Sequence, residues 1–243
     1  MIKKGKTVLN GIPKVALVIN DQEPNKVIKP LPVDFLEIRV DQFQSHAIAY
    51  IEKSIRARKA LGIPLILTVR NAKEEGGKAR ISDAAKLKIF VALLSLVEGI
   101  DIELKSPIIS QVIPLAKKNK KFVIVSSHNF KKTPAAAVLE KILKDAVKKG
   151  ADIVKIAAKA NALADVNRLW QFTLRHQKDN VITMSLGRIG SISRLTFPAA
   201  GSLLTYSYVG RPSAPGQLPF AVLQKRLRLY YPKYGAPPTK NRF

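Results

Sequence analysis

The chain has 243 residues, 47% of them hydrophobic and 24% charged, which is enough apolar length to bury a complete core. It contains no cysteine, which excludes disulfides and thiolate-bound metals, and its three histidines fall at spacings that match no metal motif. Forty-two Lys and Arg against seventeen Asp and Glu give a net charge of +25, spread along the whole chain rather than gathered in one arm. Aromatic residues make up only 7%, so base stacking has little to work with and nucleic acid is not the expected partner. No apolar run reaches the ~18 residues of a membrane span, and no signal-peptide core follows the basic start, so a cytoplasmic location is expected.

In chain order, the first short apolar run is Val15–Ile19. The stretch from Asp21 to Leu31 has weak helical character and contains Pro24. A second run, Phe35–Val40, precedes a helical pattern from Ser45 to Leu61 that stops at Gly62. Pro64–Val69 follows, then a helix with Ser82-Asp83 as its N-cap that runs to the neighbourhood of Gly99. Ile100–Leu104 is the fourth run, and a short helix covers Ser110–Asn119. After Phe122–Ser126, Thr133-Pro134 reads as a cap followed by proline at the first helical position, opening a helix to Gly150. Ile153–Ala157, a helix over Leu163–His176, Val181–Ser185, a brief helix over Ser193–Ala199, Leu203–Tyr208 and a last helix over Leu218–Tyr231 complete the series.

The runs are rich in Val and Ile and mostly unalternating, as strands buried on both faces of a parallel sheet are. Eight strand–helix units predict an α/β fold, a (β/α)8 TIM barrel with an outer ring of helices. An open doubly wound sheet would want a glycine-rich turn after the first strand, where Asp21-Gln22-Glu23 stands instead. The reading is a single catalytic domain over residues 1–233, with a flexible basic tail over 234–243 that contains Pro237-Pro238.

In such a barrel the C-terminal strand ends face the active site, so polar residues there carry information. Glu37 and Arg39 share one face of the second strand, with Asp41 just after. The third strand ends in Arg70, the fourth carries Asp101 and Glu103, the fifth ends at Ser127-His128, and Arg194 lies past the seventh. Glu103 has the alternative of simply pairing with a neighbouring cation. Lys155 stands apart, because it lies inside Ile153-Val-Lys-Ile156 with apolar residues on both sides. A buried lysine is costly if charged and unpaired, and burial with nearby cations lowers its pKa, predicting a neutral amine nucleophile.

The segments Glu37-Ile-Arg-Val-Asp41, Thr68-Val-Arg70 followed by Gly76-Gly77, Asp101-Ile-Glu103, Ser127-His-Asn-Phe130 with Thr133-Pro134, Gly150-Ala-Asp-Ile-Val-Lys155, Ile192-Ser-Arg194, Gly201-Ser202 and Ser213-Ala-Pro-Gly-Gln217 come in one order. In that order and spacing the chain resembles the type I 3-dehydroquinate dehydratases from Lys14 to Tyr231. The resemblance implies that Lys155 forms an imine with the substrate ketone and that His128 moves the protons. It implies that Arg194 binds the substrate carboxylate and that Glu37, Arg39 and Arg70 hold ring hydroxyls. It places Ser213 and Gln217 on a lid between the eighth strand and the last helix. A glutamate before Gly76-Gly77 orients the histidine in the family. Here Glu74 and Glu75 both qualify, and the offset from Arg70 favours Glu74.

The implied reaction is the syn elimination of water from 3-dehydroquinate in the shikimate pathway, with no cofactor and no metal, by a homodimer. Departures from the family pattern are Asn129 after the histidine, Leu186 where a second methionine is common, and an all-apolar first strand. Two other readings stay open at this point. One is another imine-forming barrel lyase such as an aldolase. The other is a non-enzymatic basic barrel that binds polyanions, which the +25 charge would suit.

Overall fold

The computed structural model describes residues 12–71 and 81–235. Among them, nine parallel strands form one curled sheet: β1 Val15–Ile19, β2 Phe35–Arg39, β3 Leu65–Thr68, β4 Gly99–Glu103, β5 Phe122–Asn129, β6 Ile153–Lys159, β7 Val181–Leu186, β8 Thr205–Tyr208 and β9 Leu218–Pro219. Their order is β7-β6-β5-β4-β3-β2-β1-β8-β9, so each of the first eight strands except β7 and β8 lies beside its sequence neighbours, as a barrel requires. The intervening helices are α1 Asn25–Ile28, α2 Ile48–Lys59, α3 Asp83–Leu93, α4 Ile109–Lys118, α5 Ala136–Lys148, α6 Leu163–Arg175, the single turns α7 Gly187–Gly190 and α8 Ser193–Thr196, and α9 Phe220–Tyr230. None of the described helices is long and apolar enough to cross a membrane.

Strand periodicity sorts the side chains into two layers. Leu17, Leu36, Leu67, Ile100, Val154 and Ile156 point outward and pack with Ile51, Ile55, Leu139, Leu169 and Leu223 of the helices. Ala16, Val18, Phe35, Ile66, Ile124, Ile153, Ile182 and Tyr206 point inward and fill the barrel. At its floor Phe35 and Phe122 meet edge to face, with centroids 5.9 Å apart. Gly99 makes room for that pair, since a β-carbon there would lie 2.2 Å from the Phe122 ring.

The sheet closes between β7 and β8. Leu203 N–H donates to Val181 O at 2.9 Å, and the Ser202 hydroxyl accepts Thr183 N–H at 3.0 Å. Nearer the mouth, β9 pairs with β8 on the side away from β1, with Ser207 beside Leu218. The connecting loop is anchored across the gap by Gly187 N–H, which donates to Pro215 O at 3.1 Å.

Four local expectations are corrected. The last helix begins at Phe220 rather than Leu218, because Leu218–Pro219 is drawn into the sheet as β9. The helix expected from Thr133-Pro134 begins at Ala136, and the Thr133 hydroxyl instead donates to Lys159 O at 2.9 Å, tying the loop after β5 to β6. The helix opened by Ser82, whose hydroxyl caps Ala85 N–H at 3.2 Å, gives way after Leu93 to a 3-10 turn over Leu94–Leu96. Tyr234, assigned to the flexible tail, is buried against the core with its N–H on Tyr231 O at 2.8 Å. The rest of that tail from residue 236 lies outside the described residues.

Candidate active site

The inward parity that fills the floor with apolar side chains carries polar ones one or two rungs higher. On β6, Ile153, Lys155 and Ala157 face inward in succession, so Lys155 stands directly above the apolar floor. On β2 the series is Phe35, Glu37, Arg39. The same level receives Thr68 from β3, Asp101 from β4, Ser126 and His128 from β5 and Tyr206 from β8.

These groups form one network. Lys155, only 4% exposed, places Nζ 3.0 Å from Glu37 Oε1, 2.9 Å from Asp101 Oδ2 and 4.1 Å from the centre of the Tyr206 ring. Thr68 Oγ1 donates to the same Glu37 oxygen at 3.0 Å. Arg70 binds Asp101 Oδ1 at 3.0 Å and donates to Ser126 Oγ at 2.7 Å, while Ser126 donates to Asp101 Oδ1 at 2.6 Å. Glu103 lies 3.7 Å from Arg70 and accepts Asn71 N–H at 2.5 Å. Arg39 is held by a two-pronged contact with Asp41, at 2.9 and 2.7 Å, and Asp41 also accepts Arg70 N–H.

Arg194 reaches the same space from α8. Its backbone is fixed by Thr205, whose hydroxyl donates to Arg194 O at 2.9 Å, and the neighbouring Ser193 hydroxyl donates to Gly190 O at 2.6 Å. The guanidinium is 2% exposed, and Nη1 contacts Met184 Sδ at 2.9 Å. Its Nε and Nη2 have no hydrogen-bond partner among the described residues. On the loop between β8 and β9, Ser213 N–H and Oγ donate to Gln217 Oε1 at 2.8 and 3.0 Å.

One pocket at the mouth brings together Glu37, Arg39, Arg70, His128, Lys155, Arg194, Ser213 and Gln217. The residues to which the resemblance gives a role therefore line one pocket except Glu74, which lies with Glu75 outside the described residues, whereas Asp41, Asp101, Glu103 and Ser127, also singled out at the strand ends, do not line it. Asp101, Ser126, Thr68 and Tyr206 had no role assigned from the sequence. Asp101 was visible as a polar residue on a strand of otherwise apolar character. Tyr206 read as an ordinary strand residue.

The electrostatics follow from these contacts. Burial pushes His128 down, and the cations Arg70 and Lys155 push it further, well below the ordinary 6.5, so the imidazole is neutral at neutral pH. Burial favours raising Asp101, but Arg70 and Lys155 outweigh it and hold this carboxyl below its usual range. Burial depresses Arg194 to about 10, which leaves it charged at neutral pH. Lys155 corrects the expectation of a neutral amine. Burial does work to lower it, but the adjacent Asp101 and Glu37 charges prevail and raise it above 10.5. The resting side chain is an ammonium.

The model of the family described as type I 3-dehydroquinase matches residues 17–233. A 3-dehydroquinate dehydratase of Hydrogenobaculum sp. (strain Y04AAS1) is 36% identical over 220 residues, covering 90% of this chain and 99% of that protein. The crystal structure of type I 3-dehydroquinate dehydratase from Clostridium difficile, with covalently modified comenic acid, superposes with a TM-score of 0.83 at 32% identity over 93% of this chain and 96% of that one. The 3-dehydroquinate dehydratase from Aquifex aeolicus VF5 gives 0.80 at 30% identity over 90% and 99%. With a barrel of this topology, a polar mouth at the strand ends and sequence identity sustained over nine-tenths of its length, the chain belongs to the type I 3-dehydroquinase family.

Proposed function

We propose that this chain removes water from 3-dehydroquinate to give 3-dehydroshikimate through an imine on Lys155, working as one catalytic domain over residues 1–233. The observation that carries the reading is the pocket itself. A buried lysine, a neutral histidine and a buried guanidinium with two nitrogens unfilled among the described residues share one pocket at the strand ends.

The two unfilled Arg194 nitrogens suit a substrate carboxylate, whose two oxygens match the guanidinium fork. That anchor leaves the ring ketone to Lys155. After Nζ loses a proton it bonds to C3, and the ketone oxygen departs as water, leaving an iminium. The iminium accepts the electron pair when neutral His128 takes the C2 proton. The resulting imidazolium protonates the C1 hydroxyl as it leaves, and hydrolysis of the imine frees the product. Arg39, Arg70 and Glu37 line the same cavity at positions suited to the ring hydroxyls. Ser213 and Gln217 close it, and Glu74 orients His128 in this reading.

The absence of cysteine suits a cytoplasmic enzyme. A homodimer belongs to the same reading, and a native mass in solution tests it. The chemical test is incubation with 3-dehydroquinate and borohydride followed by peptide mass mapping. The expected result is a reduced adduct on Lys155. Turnover without any adduct on Lys155 would overturn the imine reading.

A further inference from the structure

We propose that Asp101 is the standing counter-ion of the Lys155 nitrogen, paired first with the ammonium and then with the iminium, and that it acts from beneath the pocket without touching substrate. The inference rests on the imine reading above.

Two carboxylates contact Nζ, and they differ in what else they do. Glu37 lines the pocket and gives Oε1 to both Lys155 and Thr68. Asp101 is 1% exposed and is absent from the pocket wall. Its Oδ2 faces Lys155 at 2.9 Å, and its Oδ1 is shared by Arg70 and Ser126 at 3.0 and 2.6 Å. Both oxygens are committed to protein groups, Oδ2 to Lys155 on β6 and Oδ1 to Arg70 just after β3 and Ser126 on β5. A carboxylate so fixed keeps its place and its charge through the reaction, whereas Glu37 stands on the pocket wall, where the substrate meets it.

The chemistry requires such a group. An imine is an effective electron sink only while its nitrogen is protonated, and a cation buried above an apolar floor is unstable without a fixed anion. Ammonium and iminium carry the same charge at the same atom, so one carboxylate serves both. The groups facing Nζ are Glu37 from β2, Arg70 after β3, Asp101 from β4, His128 from β5 and Tyr206 from β8, with Arg194 across the cavity. Arg70 and Arg194 are cations, His128 is neutral, and the buried Tyr206 phenol is held above its ordinary 10. Asp101 and Glu37 are the two anions of this set. Arg70 and Ser126 draw on Asp101 from its far side, which tempers its hold on the nitrogen and keeps the iminium able to accept electrons.

Asp101 is thus a positioning residue, and its variants carry signatures that a purely structural role would not. Asp101→Asn removes the charge while keeping the shape. It is expected to lower kcat about 100-fold with little change in KM, and to move the alkaline limb of kcat down by about 1 to 3 pH units. Ser126→Ala removes one donor from Asp101 and is expected to move the same limb upward, in the opposite direction. Borohydride trapping on Lys155 is run on each protein in parallel.

If the wild-type enzyme traps on Lys155 and the two limbs shift in opposite directions, the counter-ion role stands. If the wild type traps but both limbs stay where they were, the role fails while the imine reading survives. If the wild type turns over without trapping, both fail together. Should Asp101→Asn not fold by circular dichroism, the direction of the Ser126→Ala shift decides alone.

Discussion

Arg194 holds a charge where water scarcely reaches, and its worth depends on the anion it meets. Replacing it with Met is expected to raise KM about 10- to 100-fold, because one charge-assisted pair is worth about 1.5–3 kcal/mol. Arg194→Lys should recover little of this, since an ammonium lacks the planar fork. Steady-state kinetics decide it, and an unchanged KM would remove Arg194 from substrate binding. His128 makes a second prediction at this scale. A histidine shifted below 6.5 releases its proton at lower pH and is already neutral above that value. The acid limb of kcat/KM is therefore expected below pH 6.5, and a limb centred above that would exclude His128 as the base. Lys155 could be singled out in the sequence because an inward lysine between apolar neighbours is rare on a buried strand. Its charge state could not. Periodicity gives the side to which a residue points, but the anions that hold this ammonium lie 118 and 54 residues away along the chain. Only the closed barrel brings them to one rung.

At the scale of elements, the loop between β8 and β9 depends on a close backbone contact. Gly216 has φ of +78°, and a β-carbon there would lie 2.3 Å from Gly187 O. Gly216→Ala is expected to lift the loop and raise KM by roughly 10-fold, while the melting temperature changes little because loop strain of this kind is local. A variant that lost both binding and global stability would show that the loop belongs to the folding core. The eight main strands could be read from the sequence because each is a short Val- and Ile-rich run bounded by turn residues. The ninth could not, because Leu218–Pro219 is too short to show a period and precedes a strong helical pattern. The start of α5 was misplaced for a related reason. Thr133 has the chemistry of a cap, yet its hydroxyl is engaged by Lys159 O, a partner supplied only by the tertiary fold.

At the scale of the molecule, the +25 charge is a self-repulsion that the fold carries at all times. Added salt shortens the reach of each charge from about 30 Å at 0.01 M to about 8 Å at 0.15 M. The melting temperature is therefore expected to rise over this range, with differential scanning fluorimetry as the check. A flat or falling curve would mean that the surface charges are already compensated locally, as Lys117–Asp152 and Lys141–Asp145 are. Composition foretold this excess but not its distribution, because ion pairs such as Lys117–Asp152 join residues that only the barrel makes neighbours.

The pairing of β9 with β8 bears on how this chain can change over generations. The loop that carries Ser213 and Gln217 is held at both ends by the β8–β9 ladder and at Pro215 by Gly187. An inserted or deleted residue between Tyr208 and Leu218 would break the register of one anchor or the other and disturb the closing seam. Descendants of this sequence are thus free to vary the letters of that segment far more than its length.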